Sequence, residues 1–287
     1  MPRHRSGALK LFSLIGRIAL VVALAIYLLI LGYIYFNQQN MLYEKVTTVT
    51  TPKVDGVPDI EDIRLKTPDG ETLRAWYLPP DEDKPLILFF GGQGSGIHDQ
   101  SDRYIHMHRE GVGFLAVSYR GYAGSTGTPT EQGLFTDAAT AYDWLTAQGY
   151  KPERIIIHGH SLGSGVATWL ATQRPALALI LEAPFTAAAD VGQERYPLLP
   201  VSFLMKDKYL SRDRIKDVHI PVLIAHGDRD TVIPFHHGVR LYDLANQPKT
   251  FARYDGSGHS TLVRDGLYER SVWPFLGLSK AAKKPTE

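Results

Sequence analysis

Hydrophobic and polar positions divide this chain into two regions with different patterns. Residues 18–36 form a run of nineteen positions without a charged side chain, whereas the rest alternates short apolar runs with amphipathic stretches. As an α-helix, the first run would be about 29 Å long, close to the thickness of the hydrocarbon core of a bilayer. The pattern therefore predicts an N-terminal transmembrane helix followed by a globular α/β domain.

The globular region shows a repeating order of strands and helices. Alternating apolar positions at 60–67 and 72–78, around a Pro-Asp-Gly turn, predict a β-hairpin. Further strands are predicted at 86–90, 113–119, 154–158, 177–181, 221–226 and 249–254, and helices near 99–110, 131–148, 162–172 and 235–245. This alternation predicts a mostly parallel central sheet with helices on both faces. In such sheets ligands bind at the carboxyl ends of the strands, so functional residues are expected there.

Charged residues flank the apolar run asymmetrically. Residues 1–17 carry four Lys or Arg side chains and no acidic one, whereas Lys45 and Lys53 beyond the run are offset by Glu44. The N-terminus is therefore expected in the cytoplasm and the globular domain on the outer, periplasmic or extracellular, side. A cleaved signal peptide is the alternative, but its apolar core is usually about 7–15 residues long and precedes a small-x-small site. Here the run ends in Tyr-Ile-Tyr-Phe-Asn-Gln-Gln, which favours an uncleaved anchor.

Length and composition limit the remaining organisation. The 287 residues and 44% hydrophobic content allow one sizeable domain with an appendage. The predicted segments are a basic cytoplasmic N-terminus at 1–17, the anchor at 18–36, a linker at 37–58, the α/β domain at 59–278 and a flexible tail at 279–287. The net charge of +1 argues against nucleic acid as a partner. The absence of cysteine excludes disulfides and thiolate metal sites.

The first candidate for chemistry is a turn after the strand at 154–158. Gly159-His160-Ser161-Leu162-Gly163 follows three consecutive isoleucines and precedes a helix-like segment. A strand, a tight turn that carries a serine, and then a helix are typical of the nucleophile elbow, G-x-S-x-G. Glycine is required on both sides because a side chain there would collide with the neighbouring strand or helix. Alone, the pentapeptide is also compatible with a structural glycine turn, in which His160 shapes the turn by hydrogen bonding.

A second glycine-rich loop follows the strand at 86–90. Residues 91–96 lack the Gly-Lys-Ser/Thr of a phosphate loop and the spacing of a dinucleotide-binding turn. Glycines allow backbone N–H groups to approach a ligand closely, which is what an oxyanion hole requires. The N–H groups of Gly92 and Leu162 are the predicted donor pair, and a flexible loop is the alternative.

An acid and a base follow the last two predicted strands. Asp228 and Asp230 come after the strand at 221–226, and His259 lies in a glycine-rich turn after the strand at 249–254. The order serine, aspartate, histidine is the one expected for a hydrolase with this elbow. A serine hydroxyl is a good nucleophile when a histidine takes its proton, and a carboxylate on the other ring nitrogen fixes the histidine tautomer. We therefore predict a triad of Ser161, His259 and one of these aspartates.

Other polar residues near the strand ends do not indicate a cofactor. The remaining histidines near these ends are His158, His160, His226, His236 and His237. They match no H-x-x-x-H pair, so neither a metal ion nor an organic cofactor is predicted. Arg120, which follows the strand at 113–119, is expected to form a structural salt bridge.

Together these motifs resemble those of the α/β-hydrolase superfamily, in particular membrane-anchored α/β-hydrolase domain-containing proteins and serine-aminopeptidase-like hydrolases. The likeness covers about residues 60–275. Its motifs here are Tyr119-Arg-Gly-Tyr-Ala-Gly-Ser125, Gly159-His-Ser-Leu-Gly163, Glu182-Ala-Pro-Phe185, His226-Gly-Asp-Arg-Asp-Thr-Val232 and Gly258-His259. The resemblance implies that Asp230 is the acid, with Asp228 as second choice and Glu182 as third. Relatives usually carry His-Gly-Asn where this chain has Phe90-Gly91-Gly92, so side-chain support of that loop is expected to differ.

The resemblance also implies an activity. We expect a membrane-anchored serine hydrolase that cleaves an ester, thioester or amide of a small or lipid-like acyl substrate, beneath a short cap formed by residues 186–217. A peptidase is one alternative, although no acidic patch for a peptide amino terminus is evident. A non-catalytic binding protein is another, since fold alone does not prove activity. Oligomeric state is left open.

Overall fold

Residues 4–278 are described by a computed structural model, in which the chain divides into two units between Leu42 and Tyr43. The predicted tail at 279–287 and the first three residues of the basic N-terminus lie outside the described residues. The first unit is a single helix, α1 (His4–Leu42). It extends beyond the predicted span of 18–36 in both directions. Within it, Leu9–Leu42 is long and apolar enough to cross a membrane, with a mean hydropathy of 2.7.

The second unit is built on an eight-stranded sheet in the order β1-β2-β4-β3-β5-β6-β7-β8. The strands are β1 (Glu61–Lys66), β2 (Thr72–Leu78), β3 (Leu86–Phe90), β4 (Gly113–Ser118), β5 (Ile155–His160), β6 (Ala178–Glu182), β7 (Val222–Gly227) and β8 (Lys249–Tyr254). The pairs β1–β2 and β2–β4 are antiparallel, and every other neighbouring pair is parallel. The predicted mostly parallel sheet is thus confirmed, and the predicted hairpin forms its edge.

Helices cover both faces of this sheet. They are α2 (Ser101–Arg109), α3 (Glu131–Ala147), α4 (Leu162–Gln173), α5 (Ala188–Arg195), α6 (Val201–Leu204), α7 (Ser211–Arg214), α8 (His236–Leu244) and α9 (Trp273–Phe275). Alternate residues of a strand point to opposite faces. Phe89 packs in a cluster with Tyr104 of α2 on one face. Gly159, whose neighbour His158 pairs with Phe89, approaches Ala167 of α4 on the opposite face.

The segment between α1 and β1 packs onto the sheet domain. Tyr43, Val54 and Val57 are buried within it, at 1%, 5% and 5% exposure. The Tyr43 hydroxyl lies 3.0 Å from Asp207 Oδ2 and 2.8 Å from the Tyr209 hydroxyl. The part of the predicted linker from residue 43 onward therefore contributes to the core of the domain.

The predicted short cap is confirmed between β6 and β7. This cap insertion, residues 186–217, contains the short helices α5, α6 and α7 and no strand among its described residues. It carries apolar side chains at its surface, since Leu198 is 86% exposed and Phe203 is 84% exposed. Its size leaves no room for a large lid domain.

Two leucines at β6 give a matched test of the core. Leu179 is fully buried, whereas Leu177, just before the strand, is 37% exposed. We expect Leu179→Ala to lower the free energy of unfolding by about 2–5 kcal/mol, because it leaves a cavity in a close-packed sheet. Leu177→Ala should cost about 1 kcal/mol or less. Urea unfolding of both variants measures the difference, and equal costs would contradict this account of the core.

Candidate active site

The nucleophile elbow is formed where β5 passes into α4. Ser161 stands between them with φ +53° and ψ −119°, a backbone conformation that is unfavourable for a residue with a side chain. Gly163 lies so close to β3 that a Cβ there would overlap the carbonyl oxygen of Phe90. On the other side of the serine, a Cβ on Gly159 would overlap the carbonyl oxygen of Gly163. Glycine is therefore required at both positions 159 and 163, as the sequence predicts.

Three predicted residues meet at the carboxyl edge of the sheet. His259 Nε2 lies 2.8 Å from Ser161 Oγ, and His259 Nδ1 lies 2.7 Å from Asp230 Oδ2. Because a carboxylate only accepts hydrogen bonds, Nδ1 donates to Asp230, which leaves the lone pair of neutral Nε2 facing the serine hydroxyl. The His259 side chain is 13% exposed, so a substrate can reach this position.

Asp230 is held by several donors besides His259. Its Oδ1 accepts from the N–H groups of Val232 and Ile233 at 2.8 and 2.9 Å. His226 Nε2 lies 3.2 Å from Oδ2 and 3.0 Å from the carbonyl oxygen of Ile233. Burial alone would raise the pKa of Asp230, but the hydrogen bonds from His226 and His259 outweigh it and hold that pKa well below its ordinary value. The carboxylate is therefore ionised and fixed in place.

The second-choice acid, Asp228, does not contact His259. Its Oδ1 accepts from the N–H of Gly256 at 2.7 Å, and its Oδ2 lies 3.0 Å from Arg253 Nη2. Asp228 thus supports the turn that carries His259.

Glu182, the third choice, belongs to a buried network that the sequence did not reveal. Its Oε2 lies 2.7 Å from Arg103 Nη1 and 3.3 Å from His158 Nε2. Burial alone would raise the pKa of Glu182, but the charge of Arg103 lowers it well below its ordinary value. The backbone carbonyl of Glu182 accepts from the N–H of Ser161 at 3.0 Å, so this network lies directly beside the elbow.

The two predicted oxyanion donors, Gly92 and Leu162, both lie beside Ser161. A Cβ on Gly92 would be 3.1 Å from Ser161 Cβ, so the loop after β3 passes next to the nucleophile. Leu162 is the first residue of α4, and the first N–H groups of a helix have no acceptor within it. Tyr119 supplies support for the loop, because its hydroxyl donates to the carbonyl of Gly91 at 2.9 Å.

His160 and Arg120 take the structural positions predicted for them. His160 Nε2 lies 3.3 Å from the backbone carbonyl of His259, which connects the elbow to the base turn. Burial lowers the pKa of His160 to about 4. Arg120 forms ion pairs with Asp137 at 2.8 Å and Asp69 at 2.7 Å.

Among the residues that the structure describes, one group of side chains has the composition and spacing to hold a metal ion. It consists of Glu194, His236 and His237. None of the three contacts Ser161, Asp230 or His259 through a described hydrogen bond, so the triad does not include this group.

Comparison with known proteins finds relatives over most of the chain. The model of the prolyl oligopeptidase family matches residues 104–270. An uncharacterised protein of Mycobacterium tuberculosis is 38% identical over 263 residues, which are 91% of this chain and 91% of that protein. The α/β-hydrolase domain-containing protein 17B of Homo sapiens is 30% identical over 76% of this chain and 75% of its own length.

One further relative and one solved structure have names that state an activity. The lysophosphatidylserine lipase ABHD12 of Rattus norvegicus is 30% identical over 81% of this chain and 71% of its own length. The crystal structure of a Pyrococcus furiosus esterase has a TM-score of 0.67 and covers 81% of this chain and 97% of that one. At 21% identity, this second likeness concerns the fold.

The buried His160 ring makes stability depend on pH. The His160 ring binds a proton near pH 6.5 in the unfolded chain and near pH 4 in the folded chain. Between these pH values the unfolded state therefore binds more protons. The free energy of unfolding should therefore fall as pH drops from about 6.5 to 4, by about 3 kcal/mol from this group. We expect His160→Gln to make that loss smaller in urea unfolding at the two pH values. The exposed-site control His219→Gln should keep the wild-type loss, and a His160→Gln profile that matches wild type would contradict the assignment.

Proposed function

Since this chain belongs to the α/β-hydrolase superfamily, and within it to the prolyl oligopeptidase family, we propose that it is a membrane-anchored serine hydrolase whose triad is Ser161, His259 and Asp230. The observation that carries the proposal is the continuous hydrogen-bonded line from Ser161 Oγ through both His259 ring nitrogens to Asp230 Oδ2, at 2.8 and 2.7 Å. A non-catalytic binding protein has no need of this geometry. The proposed bond class is an ester, with thioesters and amides as chemically related substrates.

In the proposed first step, His259 Nε2 takes the proton of the Ser161 hydroxyl as Oγ attacks the carbonyl carbon of the substrate. The carbonyl π electrons move to oxygen, and the N–H groups of Gly92 and Leu162 donate to the resulting oxyanion. Collapse of this intermediate breaks the bond to the leaving group, which takes the proton from His259. The acyl group stays on Ser161.

Water completes the cycle by the same route. His259 takes a proton from water, whose oxygen attacks the acyl carbon, and Ser161 Oγ leaves with the returned proton. Throughout, Asp230 stabilises the imidazolium without accepting its proton, which agrees with the lowered pKa of that carboxyl. The chain therefore needs no cofactor for this chemistry.

A lipid-like acyl substrate is supported by two observations. A 30%-identical relative is named a lysophosphatidylserine lipase, and the cap insertion presents Leu198 and Phe203 at its surface. Exposed apolar side chains on a cap insertion suit a substrate with an acyl chain. The match to a family of oligopeptidases supports a second candidate, hydrolysis of a peptide or aminoacyl amide.

The proposed anchor is α1, with the N-terminus in the cytoplasm and the triad on the outer side of the membrane. Residues 9–42 have the length and apolarity to span a bilayer. The four basic residues before position 18 support this orientation.

The orientation is tested by a reporter at the C-terminus. Alkaline phosphatase fused after residue 287 should be active in cells of a bacterial host, because this enzyme folds only outside the cytoplasm. If the phosphatase fusion were inactive and a cytoplasmic reporter fused at the same position were active, the domain would lie in the cytoplasm and the proposed topology would be wrong.

Replacing the nucleophile tests the catalytic role. We expect Ser161→Ala to lower turnover by roughly 10⁶, because triad residues act as a unit. The variant should also lose labelling by a fluorophosphonate probe, which reacts with an activated serine. Circular dichroism and the unfolding temperature control for folding. Unchanged turnover, or no labelling of folded wild type, would contradict the proposal and favour a non-catalytic protein.

Two neighbouring aspartates provide a matched pair. Asp230→Asn should lower kcat by about 10⁴, because an amide cannot hold the same His259 tautomer. Asp228→Asn keeps an oxygen that can accept from Gly256 N–H, so its kcat should stay within about tenfold of wild type. The comparison uses the substrate that the purified protein cleaves best. If Asp228→Asn were the more damaging change, the assignment of the acid would be wrong.

Substrate class is tested by two series of chromogenic substrates. We expect p-nitrophenyl acyl esters to be cleaved, with kcat/KM rising with acyl-chain length as more apolar surface is buried. Aminoacyl anilides should be cleaved slowly by comparison. A higher kcat/KM for the anilides would replace the ester proposal by the peptidase one, with the triad assignment unaffected.

A further inference from the structure

Three potential metal ligands converge at the junction between the cap insertion and α8. Glu194 lies on α5, and His236 and His237 are the first two residues of α8. His236 Nε2 lies 3.1 Å from Glu194 Oε1, and His237 Nε2 lies 3.5 Å from Glu194 Oε2. The ligand atoms of the three side chains all lie within 4.8 Å of one another.

The buried ring of His237 indicates what these side chains are arranged to bind. His237 is 1% exposed, and its Nε2 has no hydrogen-bond partner although it faces the Glu194 carboxylate. Its other nitrogen, Nδ1, lies 2.8 Å from Thr186 Oγ1. The single proton of that hydroxyl is donated to Asp190 Oδ2, at 2.7 Å. Nδ1 also lies 3.4 Å from the backbone nitrogen of Thr186, so Thr186 holds this side of the ring by two contacts.

His237 Nε2 is thus a buried ring nitrogen without a hydrogen bond, 3.5 Å from a carboxylate oxygen. A cation bound by both the nitrogen and the carboxylate would satisfy this buried polar atom. The contacts of Nδ1 with Thr186, and of Thr186 with Asp190, fix the orientation of the ring, which is the function of the residues behind a metal-binding histidine. Asp190 is fixed in turn by an ion pair with Arg212.

We propose that Glu194, His236 and His237 form a binding site for a zinc-type divalent cation. Two imidazole nitrogens and one carboxylate oxygen are a donor set that suits Zn²⁺, with water as a further ligand. Tetrahedral coordination at about 2.1 Å requires ligand atoms about 3.4 Å apart. His236 Nε2 lies 3.1 Å from one Glu194 oxygen and His237 Nε2 lies 3.5 Å from the other, so the carboxylate must turn to present one oxygen to both rings. The side chains of His236 and Glu194 are 59% and 47% exposed, so they can adjust to close the remaining separation.

The site would connect two parts of the domain, the cap insertion and the start of α8. Glu194 belongs to the cap insertion. His236 lies three residues after Ile233, and the N–H of Ile233 donates to Asp230. A bound cation would thus link the cap to the helix after the acid loop, as a structural site and not as a participant in hydrolysis. The proposal does not depend on the proposed hydrolase activity.

Cobalt(II) is the spectroscopic probe for this site. The full chain in detergent, treated with EDTA and dialysed, should bind one equivalent of Co²⁺ with visible ligand-field bands, and Zn²⁺ should displace it. Zn²⁺ should also raise the unfolding temperature of wild type. We expect Glu194→Gln and His236→Gln each to weaken binding by about tenfold or more and to lose this rise, since even outer-shell changes weaken metal binding by roughly 10–100-fold.

Matched controls separate this site from other histidines and from activity. His106 forms a comparable pair with Glu269, at 2.6 Å, without a third ligand among residues 4–278, so His106→Gln should keep wild-type affinity. Ser161→Ala should bind the metal like wild type. Unfolding temperatures in EDTA establish that Glu194→Gln and His236→Gln fold. Absence of binding to wild type, or wild-type affinity in those two variants, would overturn the proposal and leave a His–Glu ion pair.

Discussion

The close approach of α4 to the end of β3 is the constraint on which the active site depends. The backbone of Gly163 lies against the carbonyl of Phe90 with no room for a Cβ between them. This contact sets the height of α4 above the sheet, and so fixes both the conformation of Ser161 and the position of Leu162. It also places the loop after β3 beside the serine. One backbone contact thus places the proposed nucleophile beside both proposed oxyanion donors.

The polar residues around the triad form a layer in which buried charges are compensated locally. Arg103 faces Glu182, Arg120 faces Asp137, and Asp230 receives its hydrogen bonds from His226, His259 and two backbone N–H groups. A buried charge without such partners would be costly. His259 therefore faces Ser161 in a site where the ion pairs and backbone N–H groups are already oriented. Such preorganised dipoles are the condition for electrostatic stabilisation of a transition state.

Much of the fold and the candidate triad could be predicted from the sequence, because both follow from local patterns. Apolar runs define the strands, and parallel strands bring their carboxyl ends to one edge, where Ser161, Asp230 and His259 fall. Local patterns could not reveal the pairing of Arg103 with Glu182, which are 79 positions apart. Local patterns also could not choose between Asp228 and Asp230. The two side chains point in different directions from one turn, and only that of Asp230 contacts His259. The convergence of Glu194 with His236 was hidden for the same reason, since 42 positions separate them.

The path of the chain after α1 has a consequence for how the domain can be isolated. Tyr43 is buried against Tyr209 and Asp207, and the carbonyl of Glu44 accepts from the N–H of Gly94 at 3.1 Å. Gly94 belongs to the loop that carries Gly92. A protein shortened to begin at residue 59 would therefore lose part of its core together with a support of the loop that carries Gly92. A cut between Leu42 and Tyr43 removes the helix α1 and keeps these contacts of the sheet domain.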